Sequence, residues 1–90
     1  MEIEYDPAKD KANQEKHGLS FEAIIDFDFA NALIIPDTRF DYGEDRLLAF
    51  GLIKERLFII CYTKRENKRR IISFRKANKR EVKIYATINQ

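Results

Sequence analysis

The stretch LLAFGLIKERLFIICYTKRENKRRIISFRK, residues 47–76, contains three apolar segments separated by two short polar ones. The strands predicted here are EDRLLAFGLI, which begins upstream at Glu44, LFIICYT and RRIISFRK. They have the length and the Ile, Phe and Tyr content of β-strands, whereas the Lys, Glu and Asn residues between them suit turns. The segment ALIIPDT, residues 32–38, predicts one more strand upstream. Four strands with short connections predict an antiparallel meander.

The two central segments indicate what surrounds the sheet. LLAFGLI and LFIICYT are apolar at nearly every position, whereas a strand with one face in water alternates apolar and polar residues. Both faces at the centre of the sheet are therefore expected to be covered, one by helices from the first part of the chain. A C-terminal helix or a second protein is expected to cover part of the other face. The single cysteine, Cys61, is predicted to be a buried small hydrophobe because it has no disulfide partner.

Helix signals occur on both sides of this region. MEIEY predicts a short first strand, and Asp6 before Pro7 then predicts a polar helix that runs to about Lys16 and ends at His17-Gly18. Ser20 predicts the cap of a second helix. Its apolar face would be formed by three residues, Phe21, Ile24 and Ile25.

The last helix is predicted by Asn78 and Glu81, which match the capping box with Asn in place of the usual Ser or Thr. It is expected to reach about Ile88, with Val82, Tyr85 and Ala86 on one face. The predicted order is β-α-α-β-β-β-β-α, an α+β fold that occupies residues 1–90 as a single domain.

Composition limits the class of protein. The chain has 90 residues, 44% of them hydrophobic, and it has no apolar run of the roughly 20 residues that a membrane helix needs. Its first residues show neither the basic start nor the apolar segment of a signal peptide, so none is expected. A soluble, cytoplasmic protein without membrane contact is expected. Residues 64–83 contain ten Lys or Arg and two Glu, a net charge of +8, whereas residues 1–63 have a net charge of −6. This asymmetry favours nucleic acid or an acidic protein as the partner.

Strand alternation in RRIISFRK places Ile72 and Phe74 on one face, as the expected core residues, and Arg75 beside Ser73 on the other. A planar guanidinium such as that of Arg75 binds phosphate through two parallel hydrogen bonds. Alternatively, these charges protect an edge strand from pairing with other chains, although that purpose needs only one or two of them.

Two separated motifs and the residues between them stand out along the chain: Asp6-Pro7-x-Lys9-x-x-x-Asn13-x-x-Lys16-His17-Gly18-Leu19-Ser20-Phe21, Glu44-x-Arg46, Gly51, and Arg70-Ile71-Ile72-Ser73-x-Arg75-Lys76-Ala77-x-x-Arg80-Glu81. In these residues the chain resembles the BrnT family. Phe74 departs from the family pattern, where a small residue is common, and Asn78 stands where Thr or Ser is usual. The resemblance implies a RelE-like fold and a ribonuclease toxin of a type II toxin–antitoxin system. It also implies inhibition of translation and neutralisation by a BrnA-like antitoxin, through which operator DNA is bound. The expected assembly of this chain is a homodimer or a hetero-oligomer with the antitoxin.

No cofactor is expected, because one histidine and one cysteine cannot form a zinc site and the acidic residues are scattered. An endoribonuclease without metal can use the RNA 2′-hydroxyl as the nucleophile, which requires a proton acceptor, a cationic clamp and a proton donor. The clamp candidates are Arg75, Lys76 and Arg80. The candidates for proton transfer are His17, Glu44 and Tyr85, each of which also has a structural explanation. The candidates for RNA binding are Arg46, Arg70, Lys16, Lys79 and Lys83.

A second hypothesis comes from a different functional class. A non-enzymatic module could use the basic segment 64–83 only to bind nucleic acid or an acidic protein. Composition does not separate the two hypotheses, and both predict weaker binding at higher salt. Turnover of RNA separates them.

Overall fold

The computed structural model describes residues 2–89 and has the predicted α+β architecture. The elements are β1 (Glu2–Glu4), α1 (Pro7–His17), a 3₁₀ helix (Phe21–Asp26), β2 (Leu33–Pro36), β3 (Leu47–Ile53), β4 (Arg56–Arg65), β5 (Lys68–Lys76) and α2 (Lys79–Ile88). They form a five-stranded sheet in the order β1-β5-β4-β3-β2. None of the helices in this part of the chain is long and apolar enough to cross a lipid bilayer.

The sheet is mixed, whereas the strand pattern predicted an antiparallel one. β2 to β5 form the expected antiparallel meander, but β1 lies parallel to β5 at the edge. The rest of the chain up to β5 connects these two strands, so the connection is long enough for parallel pairing. Opposite charges support the pairing, since Glu2 lies 3.9 Å from Lys68 and Glu4 lies 3.7 Å from Arg70. Exposed pairs of this kind add little stability, but they favour this register over others.

The turn between β4 and β5 consists of two residues, Glu66 and Asn67, with φ of 51° and 65°. Positive φ at both central residues is the backbone of the hairpin turn whose twist matches that of the flanking strands. Asn adopts this conformation more readily than most residues. The chain therefore returns tightly, and β5 pairs with β4 from Lys68 to Lys76, with one irregularity at Ile72.

The core lies between one face of the sheet and the elements that follow β1. Phe21, Ile24 and Phe27 are buried with Ile60 of β4 and Phe74 of β5. The fit is close at Gly51, where a Cβ atom would lie 2.5 Å from Cζ of Phe27. A glycine is required there because the Phe27 ring occupies the space of a side chain.

The second predicted helix is a 3₁₀ helix, and this changes which residues it buries. Ser20 caps it as expected, through a hydrogen bond of 3.2 Å from the backbone N–H of Glu22. Because a 3₁₀ helix has three residues per turn, residues i and i+3 share a face and residue i+4 does not. Phe21 and Ile24 are accordingly buried, whereas Ile25 is 85% exposed. The prediction that Ile25 packs in the core was wrong.

A β-bulge changes the faces of β5. Cys61 pairs with Ser73 and the next residue, Tyr62, pairs with Ile71, so Ile72 has no partner in β4. One extra residue in a strand reverses the alternation beyond it. Ile71 and Phe74 therefore both point into the core and are fully buried, in place of the predicted Ile72 and Phe74.

Helix α1 is attached to the sheet by a polar side chain. The apolar residues Ala8 and Ala12 are exposed, and Asn13 is the buried residue of the helix. Nδ2 of Asn13 donates to the backbone oxygen of Phe74 at 2.8 Å and to that of Leu19 at 2.9 Å, while its Oδ1 accepts from the N–H of Phe74 at 3.0 Å. These bonds fix the last turn of α1 beside the second half of β5.

Candidate nucleic-acid interface at the end of β5

The sheet face opposite the core, here called the open face, contains the candidate site. Residues paired across the sheet point to the same side, so two rows of side chains can be read from the register. One row is Leu48, Cys61 and Ser73, and the next is Phe50, Ile59 and Arg75. Arg75 is thus the charged end of an apolar row. Its side chain is 32% exposed, so it lies at the rim of the open face.

Arg75 forms a bidentate ion pair with Glu81, the residue at the third position of α2. The two terminal guanidinium nitrogens, Nη1 and Nη2, donate to Oε1 and Oε2 of Glu81, both at 2.8 Å. These hydrogen bonds lower the pKa of Glu81. Glu81 also closes the predicted capping box, because its Oε1 accepts from the backbone N–H of Asn78 at 2.9 Å. The sequence indicated the capping role alone.

His17 lies at the same end of β5. It follows Asn13 by four residues, so the two side chains share the helix face that is fixed to the backbone of Phe74. Burial lowers the pKa of His17, and the positive charges of Lys16 and Arg75 lower it further. The imidazole is therefore largely neutral at pH 7, in the state that accepts a proton. Asn13 thus holds the last turn of α1 beside Phe74, the residue before Arg75.

Two predicted clamp residues, Lys76 and Arg80, and three predicted RNA-binding residues are exposed cations around this end of the sheet. Their charged groups form no ion pair with any residue from 2 to 89: Lys16, Lys76, Lys79, Arg80 and Lys83. Lys76 ends β5, three of the others lie on α2, and Lys16 precedes His17. They form a surface where positive charge is not compensated locally, which attracts a phosphate backbone.

Some of the other basic residues of the segment 64–83 are engaged within the protein. Arg70 pairs with Glu4, and Arg69 lies with its Cζ 3.9 Å from the centre of the Phe29 ring. The Arg69 guanidinium covers the Phe29 ring, and a cation–π contact of this kind is attractive. The +8 segment is thus only partly available to a partner.

Glu44 and Arg46 form the expected charge pair, with Nε of Arg46 3.1 Å from Oε2 of Glu44. They lie in the loop before β3, because that strand begins at Leu47, later than the predicted EDRLLAFGLI. Arg46 also stacks on the ring of Tyr42 at 3.9 Å. Tyr85 is half-buried on α2, one turn after Glu81.

The structure adds a cluster that the sequence did not indicate, formed around Asp37 at the end of β2. The side chain of Asp37 is fully buried, and it accepts two hydrogen bonds of 2.8 Å from Arg39 and one of 3.1 Å from the Tyr42 hydroxyl. The Arg39 bonds lower the pKa of Asp37 to about 2. Sγ of Cys61 lies 4.0 Å from Oδ2 of Asp37, and burial raises the pKa of this thiol.

The Asp37 cluster borders the site. The loop between β2 and β3 that contains this cluster lies next to Cys61, which is paired with Ser73 of β5, two residues before Arg75. Asp37, Tyr42 and Arg46 line a cleft of about 600 Å³ in this loop. The signal in the sequence was the short spacing of Asp37, Arg39 and Tyr42, which was not recognised because turn residues explain it equally well.

Comparison with known proteins places this site in context. The family model for the ribonuclease toxin, BrnT, of type II toxin–antitoxin systems matches residues 5–81. The crystal structure of the Brucella abortus ribonuclease toxin, BrnT, is similar with a TM-score of 0.73 and 28% sequence identity, and the match covers 88% of this chain and 99% of that one. A search of curated proteins finds no match. The matched residues of the family model include His17, Arg75 and Glu81.

Proposed function

This chain belongs to the BrnT family of ribonuclease toxins of type II toxin–antitoxin systems, and we propose that it cleaves RNA internally at the end of β5 without a metal ion. The observation that supports this site best is the attachment of α1 to β5 through the hydrogen bonds between Asn13 and Phe74, which brings the last turn of α1, with His17, to the end of β5 where Arg75 and the unpaired cations lie. Cleavage of RNA in the cytoplasm would inhibit translation.

The proposed reaction is attack of a 2′-hydroxyl on the adjacent phosphorus. His17 accepts the proton of the hydroxyl, and Arg75, Lys76 and Arg80 stabilise the negative charge that develops on the phosphate oxygens. Glu44 and Tyr85 are the alternative groups for proton transfer. The bond to the 5′ oxygen breaks as that oxygen gains a proton, which leaves a 2′,3′-cyclic phosphate and a 5′-hydroxyl end. Lys16, Lys79 and Lys83, with Arg46 and Arg70 further away, would bind the flanking phosphates.

The test is turnover of a single-stranded RNA by the purified chain, free of antitoxin, in buffer with EDTA. We expect internal fragments with 5′-hydroxyl ends, and no cleavage where the attacking 2′-hydroxyl is replaced by hydrogen. Arg75→Ala or Arg80→Ala should lower the cleavage rate by about ten- to a thousandfold, as expected when a transition-state donor is removed. Lys9→Ala is the matched control, because Lys9 is an exposed cation in the first turn of α1.

Three outcomes would contradict parts of the proposal. Cleavage that requires added Mg²⁺ would exclude the metal-free reaction. Full activity in both arginine variants would remove Arg75 and Arg80 from the site. RNA binding without any fragments would favour the non-enzymatic module.

We propose that the neutralising partner is a BrnA-like antitoxin, which itself binds operator DNA, and that it covers β5 and α2. Val82, Ile84 and Ile88 of α2 are 46%, 47% and 55% exposed beside the unpaired cations, so this surface suits an acidic amphipathic segment. Crosslinks between the two proteins should fall on residues 69–88. A crosslinking map confined to residues 7–30 would contradict this arrangement.

A further inference from the structure

We propose that Glu81 is an internal competitor for the RNA phosphate at Arg75, so that RNA must displace the carboxylate before it can occupy the clamp. This inference rests on the proposed function, because it assumes that Arg75 binds a phosphate of the substrate. It assigns to Glu81 a role that neither the capping box nor the proposed reaction includes.

The first argument is the geometry of the pair. Arg75 donates from two terminal nitrogens to the two oxygens of one carboxylate, both at 2.8 Å. A guanidinium binds two oxygens of a phosphate group through the same pair of parallel hydrogen bonds. The same two N–H groups cannot serve both acceptors. In the free protein, the pair of parallel donors on Nη1 and Nη2 of Arg75 is therefore occupied.

The second argument is that Glu81 can leave without loss of its other role. Its Oε1 also accepts from the N–H of Asn78 at 2.9 Å, and its own N–H donates to Oδ1 of Asn78 at 2.8 Å. A carboxylate has enough lone pairs for the cap and for Arg75 together. When Arg75 turns to a phosphate, Glu81 keeps the capping box, so α2 keeps its first turn.

The third argument is the loose attachment of α2. None of its side chains among residues 79–88 is buried, and three apolar residues, Val82, Ile84 and Ile88, are about half exposed. The pair of Arg75 and Glu81 is therefore a main link between this helix and the sheet. A helix with so little buried apolar surface can move away from the sheet at low cost.

The competition involves an anion and not a proton. Hydrogen bonds from Arg75 lower the pKa of Glu81, and the capping N–H of Asn78 and the charge of Arg39 lower it further, so the carboxylate stays ionised at neutral pH. Only another anion can replace it on Arg75 under those conditions. An RNA phosphate is suited to do so because the neighbouring cations Lys76 and Arg80 add to its attraction.

The test compares Glu81→Gln with Glu55→Gln, which removes the same charge. Glu55 is exposed in the turn between β3 and β4, at the end of the sheet where β5 also ends. A glutamine at position 81 can still accept the capping hydrogen bond but no longer pairs as an ion with Arg75. The probe is a short, fluorescently labelled single-stranded RNA with 2′-O-methyl groups, which the proposed reaction cannot cleave.

We expect Glu81→Gln to bind this RNA about three- to tenfold more tightly than Glu55→Gln, since a charge-assisted pair no longer competes. The difference should disappear when both changes are made in an Arg75→Ala background. In the unsubstituted protein, saturating RNA should not speed amide hydrogen exchange in the first turn of α2, because Glu81 keeps the capping box.

Equal affinities of Glu81→Gln and Glu55→Gln would overturn the competition while leaving the ribonuclease proposal intact. Weaker binding by Glu81→Gln with an unchanged circular dichroism spectrum would also overturn it, since Glu81 would then orient Arg75 for RNA. Failure of the unsubstituted protein to bind the RNA would overturn the competition and the proposed function together.

Discussion

At the scale of single residues, the structure uses carboxylates to hold arginines in place. Asp37 holds Arg39, and Glu81 holds Arg75, each through two hydrogen bonds. In each pair the carboxylate is the less exposed partner, with side-chain exposures of 0% and 18%. A buried carboxylate that is fully hydrogen-bonded stays ionised, and its guanidinium partner remains accessible at the surface. Arg39 and Arg75 are thus each held in position by a carboxylate that is less exposed than the guanidinium.

The pKa of Asp37 gives a prediction about stability. Because its pKa falls from 3.8 to about 2 on folding, ionised Asp37 stabilises the folded state above about pH 4, and this contribution is lost as the pH falls towards 2. Asp37→Asn should lower the free energy of unfolding by about 2 kcal/mol at pH 7. Urea unfolding at several pH values should show this difference shrinking between about pH 4 and pH 2.

The matched control for this prediction is Asp45→Asn, since the Asp45 side chain is exposed in the same loop. It should change the free energy of unfolding by less than about 0.5 kcal/mol at any pH. A loss in Asp37→Asn that stays constant down to pH 2 would show that the charge of Asp37 is not the source of its contribution.

At the scale of elements, local patterns predicted what forms, but contacts between elements decided the details. The apolar runs, Asp6, Gly18 and the capping box predicted strands and helix ends, because these signals depend on near neighbours along the chain. The bulge at Ile72 and the 3₁₀ geometry near Ile25 were missed. Both are small changes of backbone that improve the packing of Ile71 and Ile24 against residues distant in sequence.

In the candidate site, too, the sequence predicted local features but not the contacts between elements. The motif predicted Arg75, Lys76 and Arg80 as a group, and the structure leaves the last two exposed, as a binding surface requires. The sequence predicted that Glu81 caps α2, and this is correct. Because the capping box already explained Glu81, its ion pair with Arg75 was not predicted. A contact between the end of a strand and the following helix depends on how the two pack, and no local pattern encodes that.

The 3₁₀ helix provides the prediction at this scale. Ile24→Ala should lower the free energy of unfolding by about 2–4 kcal/mol, because it removes fully buried methyl groups. Ile25→Ala removes the same atoms from a residue that is 85% exposed, so its effect should stay below about 0.5 kcal/mol. Denaturant unfolding of the two variants provides the comparison. Equal losses would indicate an α-helix, in which both residues face the core.

At the scale of the whole molecule, the charge asymmetry of the sequence is rearranged by folding. The acidic N-terminal strand β1 lies against the start of β5, where Glu2 and Glu4 pair with Lys68 and Arg70. Unpaired positive charge therefore remains at two opposite ends of the hairpin formed by β4 and β5. One end is the turn that follows Lys64 and Arg65, and the other is the junction of β5 with α2. Only the second end lies beside His17 and Arg75.

These two ends provide matched variants for RNA binding. Each phosphate contact on a single strand adds about 0.7 to the slope of the logarithm of the binding constant against the logarithm of salt concentration. The double change Lys79→Ala and Lys83→Ala should therefore reduce that slope by about 1.4 if both residues bind phosphates. The double change Lys64→Ala and Arg65→Ala removes the same charge at the far end and should leave the slope nearly unchanged. The slopes of the two double variants are compared by measuring their binding constants for the 2′-O-methyl RNA at several salt concentrations, from low to physiological. Equal reductions in both variants would mean that RNA responds to the net charge of the protein and not to a surface at the end of β5.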